Sequence, residues 1–389
     1  MSPRAIAWLI GFRLILALAC TSVAPASSSL LPGTSAARTS EGSPSPTVVV
    51  GDSRLLLIAT FEGEMPIVHV VDPETGSEFT TFVLPGWQKF KPLHIAGGQI
   101  FYDTDTGARR AKPGHPFLDL PFVQSTFLPT PDGQRIAWGG CEWDEENQIC
   151  SNQIKSAAVD GGAEQILFEE RIEGPVEAIP YAWSPDGRHL YVTHHVFAAE
   201  GGLFRSYVGL ERVDTETREV VNILSGDTYS EISLSPDGLK MAYIPWAKPL
   251  DVIVQDIRTG VVNRAILETG PGQAGNIVWS PSGNELIVTH AIGSDAYSVI
   301  LVDVQQMEQR ILLESDNRRL RTIAWPPEAS VFLDDSQYAR RGVWRIDADG
   351  GEPTFVGPGV ILGPMPAADV LPNLNPSALP LEAALRLPS

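Results

Sequence analysis

The chain has 389 residues, with 28 Lys and Arg against 47 Asp and Glu, a formal net charge of −19 and a pI near 4.7. That balance excludes nucleic-acid binding by phosphate neutralisation, which needs a basic stripe. A composition that is 43% hydrophobic, with 35 Gly and 32 Pro, suits many short strands joined by turns, and no long amphipathic helix stands out.

Residues 1–19 have the form of an export signal. Arg4 and Arg13 supply positive charge, and Leu14-Ile15-Leu16-Ala17-Leu18-Ala19 ends an apolar core in small residues. The stretch is shorter than the ~20 apolar residues of a membrane span. Leu16-Ala17-Leu18-Ala19-Cys20 resembles a bacterial lipobox, although Ala17 stands where that pattern prefers Leu. The resemblance implies that Cys20 takes a diacylglycerol on its thiol. Cleavage without lipid, after Ala19 or Ala26, and an uncleaved anchor are the alternatives. Residues 20–46 are rich in Ser, Thr, Ala, Gly and Pro, a composition that buries too little apolar surface to order itself and so reads as a spacer.

Residues 47–357 are organised as repeats. Trp183-Ser184-Pro185-Asp186-Gly187 precedes the apolar run Leu190-Tyr191-Val192, and Asp-Gly is a strong hairpin signal, read here as a two-residue turn. Copies stand at Ser235-Pro236-Asp237-Gly238, Trp279-Ser280-Pro281-Ser282-Gly283 and Pro131-Asp132-Gly133, with a worn one at Trp325-Pro326-Pro327 and fainter ones at Asp52 and Gly98. Turn positions 52, 98, 132, 186, 237, 282 and 328 are 46, 34, 54, 51, 45 and 46 residues apart, mostly the length of a propeller blade. A second, Asp-led turn runs in phase at Asp72, Asp160, Asp214, Asp256, Asp303 and Asp347. Each repeat therefore reads as a four-stranded antiparallel meander. These residues resemble the TolB-type, WD-like repeat, which also occurs in the non-catalytic propeller of prolyl-oligopeptidase-like peptidases. The resemblance implies an all-β propeller, with seven blades expected and six or eight as alternatives. It implies no particular function, because the repeat is a scaffold. Residues 358–389 form a Pro-rich tail in which 359–363 is a candidate closing strand.

With Cys20 lipidated, Cys141 and Cys150 remain as an even pair, expected to form a disulfide in an oxidising compartment. Zinc would need two further ligands nearby. Units three and four are longer than the others, with the excess at 141–151 and 196–206, in loops that share the face of the connections between blades. Loops on a rigid scaffold are where binding residues gather. The candidate binding face is Trp143, Asp144, Glu145, His194, His195, Phe204, Arg205 and His290. His194 and His290 hold the same repeat position, with Pro245 between them. They read as strand-end residues of shared ancestry rather than as a metal or acid–base site. Asp144-Glu145-Glu146 reads as a solvated loop rather than a calcium site.

No catalytic constellation is legible. Gly51-Asp52-Ser53 runs into a strand, and neither a Gly-x-Ser-x-Gly elbow nor a His-Glu-x-x-His helix occurs. Trp183, Trp279 and Trp325 share one repeat position, which suits packing between blades better than a sugar platform. The expectation is a monomeric, exported, membrane-tethered binding or scaffold module for an envelope protein, peptide or glycan. It has no cofactor or metal, and meets the membrane through its lipid alone. The alternative is an exported propeller hydrolase or lyase with its site in the central funnel.

Overall fold

The computed structural model describes residues 54–366, apart from 63–64, 88–90, 92, 113–114, 124–125, 197–203, 205, 247–249, 269, 271, 294–295, 317–319, 327–329 and 336–341. The expectations for the signal, Cys20, the spacer, Asp52 and the end of the tail lie outside the described residues. Within them every regular element is a strand.

The first sheet holds β1 (Arg54–Glu62), β2 (Met65–Val71) and β3 (Glu78–Val83). The second is short: β4 (Leu93–Ala96), β5 (Gln99–Thr104), β6 (Gly107–Ala111) and β7 (Leu118–Leu120). The third is β8 (Phe127–Pro129), β9 (Arg135–Asp144), β10 (Ile149–Ala158) and β11 (Gln165–Glu173). The fourth has seven strands: β12 (Val176–Trp183), β13 (His189–Val196), β14 (Tyr207–Asp214), β15 (Val220–Leu234), β16 (Lys240–Pro245), β17 (Asp251–Asp256) and β18 (Val262–Ile266). The fifth is β19 (Gln273–Trp279), β20 (Glu285–Ile292), β21 (Ala296–Asp303) and β22 (Gln309–Ser315). The sixth is β23 (Leu320–Ala324), β24 (Ser330–Asp335), β25 (Gly342–Asp347) and β26 (Thr354–Pro358). The last strand, β27 (Val360–Pro366), returns to pair antiparallel with β1, so the first sheet reads β27-β1-β2-β3. The edge strands β27, β4, β8 and β12 touch in succession, as do β15, β19, β23 and β27. Tyr181 of β12 bonds Glu231 of β15 and completes the circle.

The second strand of each unit is an unbroken apolar run because its alternate side chains face two different neighbours. In β1, Leu55, Leu57 and Ala59 pack toward the second sheet, while Leu56 and Ile58 pack against Phe332 and Val343 of the sixth. In β13, Leu190 and Val192 join the third sheet's core, and Tyr191 joins Tyr229 and Tyr243. In β20, Leu286 and Val288 face Ala242 and Val254, and Ile287 faces Val331 and Leu333. Trp183, Trp279 and Trp325 are all buried in these seams. Trp183 donates its indole N–H to the Leu128 carbonyl, and Trp279 to that of Ser233, each in a neighbouring inner strand.

The Ser-Pro-Asp-Gly turn works through its side chains. Ser184 Oγ donates to Asp186 Oδ1 at 2.5 Å and accepts the His189 amide at 2.9 Å, while Asp186 Oδ1 accepts the Arg188 amide. Ser184 and His189 are the bonded pair that closes it, so the connection is four residues, not two. Pro suits the second position through its fixed φ, and Gly187 takes a φ of 69°. Asp72, Asp160, Asp214, Asp256 and Asp303 likewise accept amides from their own turns.

The count of blades departs from expectation. Five separate four-stranded sheets are present, not seven, and the units at 186 and 237 are fused into the seven-stranded sheet. The cause is β15, 15 residues long. Its first part pairs with β14 from Val220 to Tyr229, and its end pairs with β16 from Tyr229 to Leu234. Between Leu224 and Thr228 the register shifts, so that Ser225, Gly226 and Asp227 bulge opposite Gly209 before the chain changes partner.

Candidate functional site

The insertion at 141–151 is an extended hairpin rather than a loop. β9 and β10 run in register to Asp144↔Ile149, and Cys141 and Cys150 are joined by a disulfide across them. The turn is held by Asp144, whose carboxylate accepts the Glu146 and Asn147 amides and the Asn147 side chain. Those bonds, the side-chain one foremost, lower its pKa. Trp143 and Glu145 lie exposed at the tip. The Gly174 amide donates to the Gln148 carbonyl, which places this tip beside the connection into β12.

His194, expected on a binding face, is instead buried at the seam of the third and fourth sheets. Its Nε2 makes a short hydrogen bond to Glu170 Oε1, and its Nδ1 lies 3.3 Å from the Val208 carbonyl and 3.9 Å from Glu211 Oε2. With acceptors at both nitrogens, the ring is built to be an imidazolium. Burial pulls its pKa down, but the Glu170 bond and the charges of Glu170 and Glu211 outweigh it, and the net direction is upward. Burial raises Glu211 in turn. Asn152, itself buried, donates to Glu170 Oε1 and to the Val176 carbonyl and accepts the Ala178 amide. The cluster is an internal clasp between two sheets.

His290 is also removed from the surface. It is fully buried in β20, opposite Ala274 and Ser298, and neither ring nitrogen has a hydrogen-bond partner among the described residues. Burial lowers its pKa, so the ring is neutral. His194 and His290 therefore belong to different sheets and form no joint site. His195 is half-buried, and Arg205 lies outside the described residues. Phe204 reaches from the fourth sheet to the inner strand of the fifth, so close that a Cβ on Gly275 would fall 2.6 Å from its ring.

Beside Gly275 lies a polar group that the repeat reading did not single out. Glu231 Oε1 accepts the Tyr181 hydroxyl at 3.3 Å, and Glu231 Oε2 accepts the Asn276 amide at 3.0 Å. Tyr181 also donates a short bond to the Ile232 carbonyl. Burial first, and then the Glu231 charge, keep this phenol neutral well above the ordinary tyrosine range. Asn276 Oδ1 is buried without a hydrogen-bond partner among the described residues. Asn276 has a φ of 51° at a register shift in β19, and the bonds it and Tyr181 make tie three successive inner strands around the axis. The group can accept a hydrogen bond from a ligand. It offers no activated nucleophile. Among the described residues no cluster of His, Cys, Asp and Glu could hold a metal.

No protein-family model and no curated protein matches the chain. Solved structures do match. Puromycin hydrolase superposes with a TM-score of 0.50 at 14% identity, over 80% of this chain and 54% of that one. The periplasmic gluconolactonase of Pseudomonas aeruginosa gives 0.49 at 14% over 80% and 96%, and TolB from Acinetobacter baumannii 0.42 at 14% over 80% and 82%. At such identities the likeness is one of fold. The chain is a β-propeller. In this propeller Glu231 and Asn276 each stand four residues before the serine of the turn, at Ser235 and Ser280. A polar residue recurring at that place in an inner strand is the signal that would have found them.

Proposed function

We propose that this propeller is an exported, monomeric binding module, tethered through Cys20, that takes an envelope protein, peptide or glycan on its loop-bearing face. The observation that carries the reading is the β9–β10 hairpin. It is stapled by a disulfide, its turn is locked by Asp144, and it holds Trp143 out to solvent on a rigid ring. The disulfide and the signal-like first 19 residues favour an oxidising compartment outside the cytoplasm. Within the seven-stranded sheet, the cluster of Tyr191, Leu210, Tyr229 and Met241 packs between its two halves as the other clusters pack between sheets.

The test is capture from envelope extract by the native protein and by Trp143→Ala with the 145–148 turn shortened. Loss of the captured partners supports the reading, and identical partners count against it. The mass of the mature N-terminus tests the lipid on Cys20. The enzyme reading is favoured by the axial group at Tyr181, Glu231 and Asn276, whose Asn276 amide oxygen has no hydrogen-bond partner among the described residues. Turnover of an ester, lactone or glycan that is lost in Glu231→Gln would establish it.

A further inference from the structure

The continuous strand β15 has a consequence for binding. Its exposed middle, Ser225–Thr228, bulges from the β14 pairing just before the β16 pairing begins at Tyr229. The halves part there around an open cleft of about 690 Å³, within the ~300–1,000 Å³ of small-molecule sites. Its floor is Tyr229 and Tyr243, whose rings meet edge to face at 5.4 Å. At its mouth stands Trp246, 44% exposed, with its backbone amide bonded to the Thr228 carbonyl at 2.9 Å. Polar groups are fixed around it. Ser225 donates to Asp227 Oδ2 at 2.7 Å, and Gln255 Oε1 accepts the Tyr243 hydroxyl at 3.4 Å.

We propose that this cleft binds one pyranose unit of a neutral glycan. An indole held at the mouth presents the flat apolar face on which a sugar ring stacks. Asp227 and Gln255 offer the paired acceptors and amide donors that neighbouring hydroxyls require. No lysine or arginine lines the cleft among the described residues, which disfavours phosphate and uronate. An aromatic cage for a quaternary ammonium would need rings facing one another across a narrow gap. Here the two tyrosines touch each other and the space is broad. The proposal deepens the binding reading and rests on it, but the cleft is separate from the Trp143 hairpin, so the two fail separately.

The test titrates the full purified protein with maltotriose, cellotriose and N,N′-diacetylchitobiose, following tryptophan fluorescence and saturation-transfer NMR, with tetramethylammonium as a competitor. Saturable binding of at least one sugar is expected, weakened about tenfold or more in Trp246→Ala and severalfold in Asp227→Asn, and unchanged in Trp143→Ala. Trp246 is exposed, so its loss leaves the core intact. Four results overturn the proposal: no saturable sugar binding; binding that Trp246→Ala leaves intact; binding that Trp143→Ala abolishes; or displacement of the sugar by tetramethylammonium at low concentration. Loss of hairpin partners with sugar binding retained would instead sink the hairpin reading alone.

Discussion

His194→Leu removes the cation of the clasp and leaves Glu170 and Glu211 facing each other at the seam of two sheets. His194 is 7% exposed at its side chain, Glu170 26% and Glu211 18%, so water screens the loss only partly. Breaking a buried pair by deleting one partner costs ~3–5 kcal/mol, and the Asn152 bond that Glu170 retains sets the expectation at the lower end, about 3. For a domain this large that is a fall in Tm of about 6 °C. The penalty depends on pH. A histidine whose folded pKa lies above its ordinary 6.5 contributes fully below 6.5, and the contribution fades as pH rises through the folded value. Thermal unfolding of wild type and variant is therefore compared at pH 6 and pH 9. The gap between them is wide at pH 6 and narrower at pH 9. Glu170→Gln, which keeps an acceptor but no charge, narrows less with pH. A gap of equal size at both values would refute an imidazolium in the clasp, and no gap at all would refute the clasp.

Three further outcomes follow from the fold. Gly238→Ala and Gly260→Ala meet the same positive φ, worth ~1–2 kcal/mol. At Gly238, however, the new Cβ falls 2.5 Å from Pro185 Cδ, while Gly260 has open space, so Gly238→Ala unfolds at lower denaturant by a further ~1–3 kcal/mol. Replacing Cys141 and Cys150 by serine removes about 2–3 kcal/mol of loop closure, read as faster amide exchange at 141–152 with little change in the remaining strands. Ending the chain at Gly359 removes β27, bares the edge of β1 and opens the core at Leu56 and Ile58. Cooperative unfolding is lost and the product aggregates, as light scattering would register.

Much of the ring was legible because its signals are local. Asp186 caps the amide two residues on, and Gly187 supplies the positive φ at the same turn, so six residues suffice to mark a hairpin. What was not legible depends on partners one repeat away. His194 meets Glu170 at a separation of 24, Asn276 meets Glu231 at 45 and Tyr181 meets Glu231 at 50. Ser225-Gly226-Asp227-Thr228 has the composition of a turn, yet it is a bulge within one long strand: Leu224 and Thr228 both pair with β14, and the pairing to β16 begins at the next residue, Tyr229. The burial of His194 and His290 has a related cause: each lies inside the pairing of its own sheet, which runs on to Val196 past the first and to Ile292 past the second.

The same geometry restricts where function can lie. A second strand whose alternate residues serve two cores has no side chain to spare along its length, as the run from Leu286 to Ala291, all buried, makes plain. Buried polar groups stand within such runs, as Thr289 does, and also where that alternation fails. One such place is the inner-strand register shift that carries Asn276, another the ends of β13 and β20, and a third the crossing in β15. At the strand ends the polar groups are spent on internal bonds or shut away from water. At the shift Asn276 keeps an amide oxygen without a hydrogen-bond partner among the described residues, and at the crossing the exposed Trp246 lines a cleft with two tyrosines. On the binding reading proposed above, the axis and the β15 cleft are the places left for a small ligand, and the stapled hairpin is the place left for a larger partner.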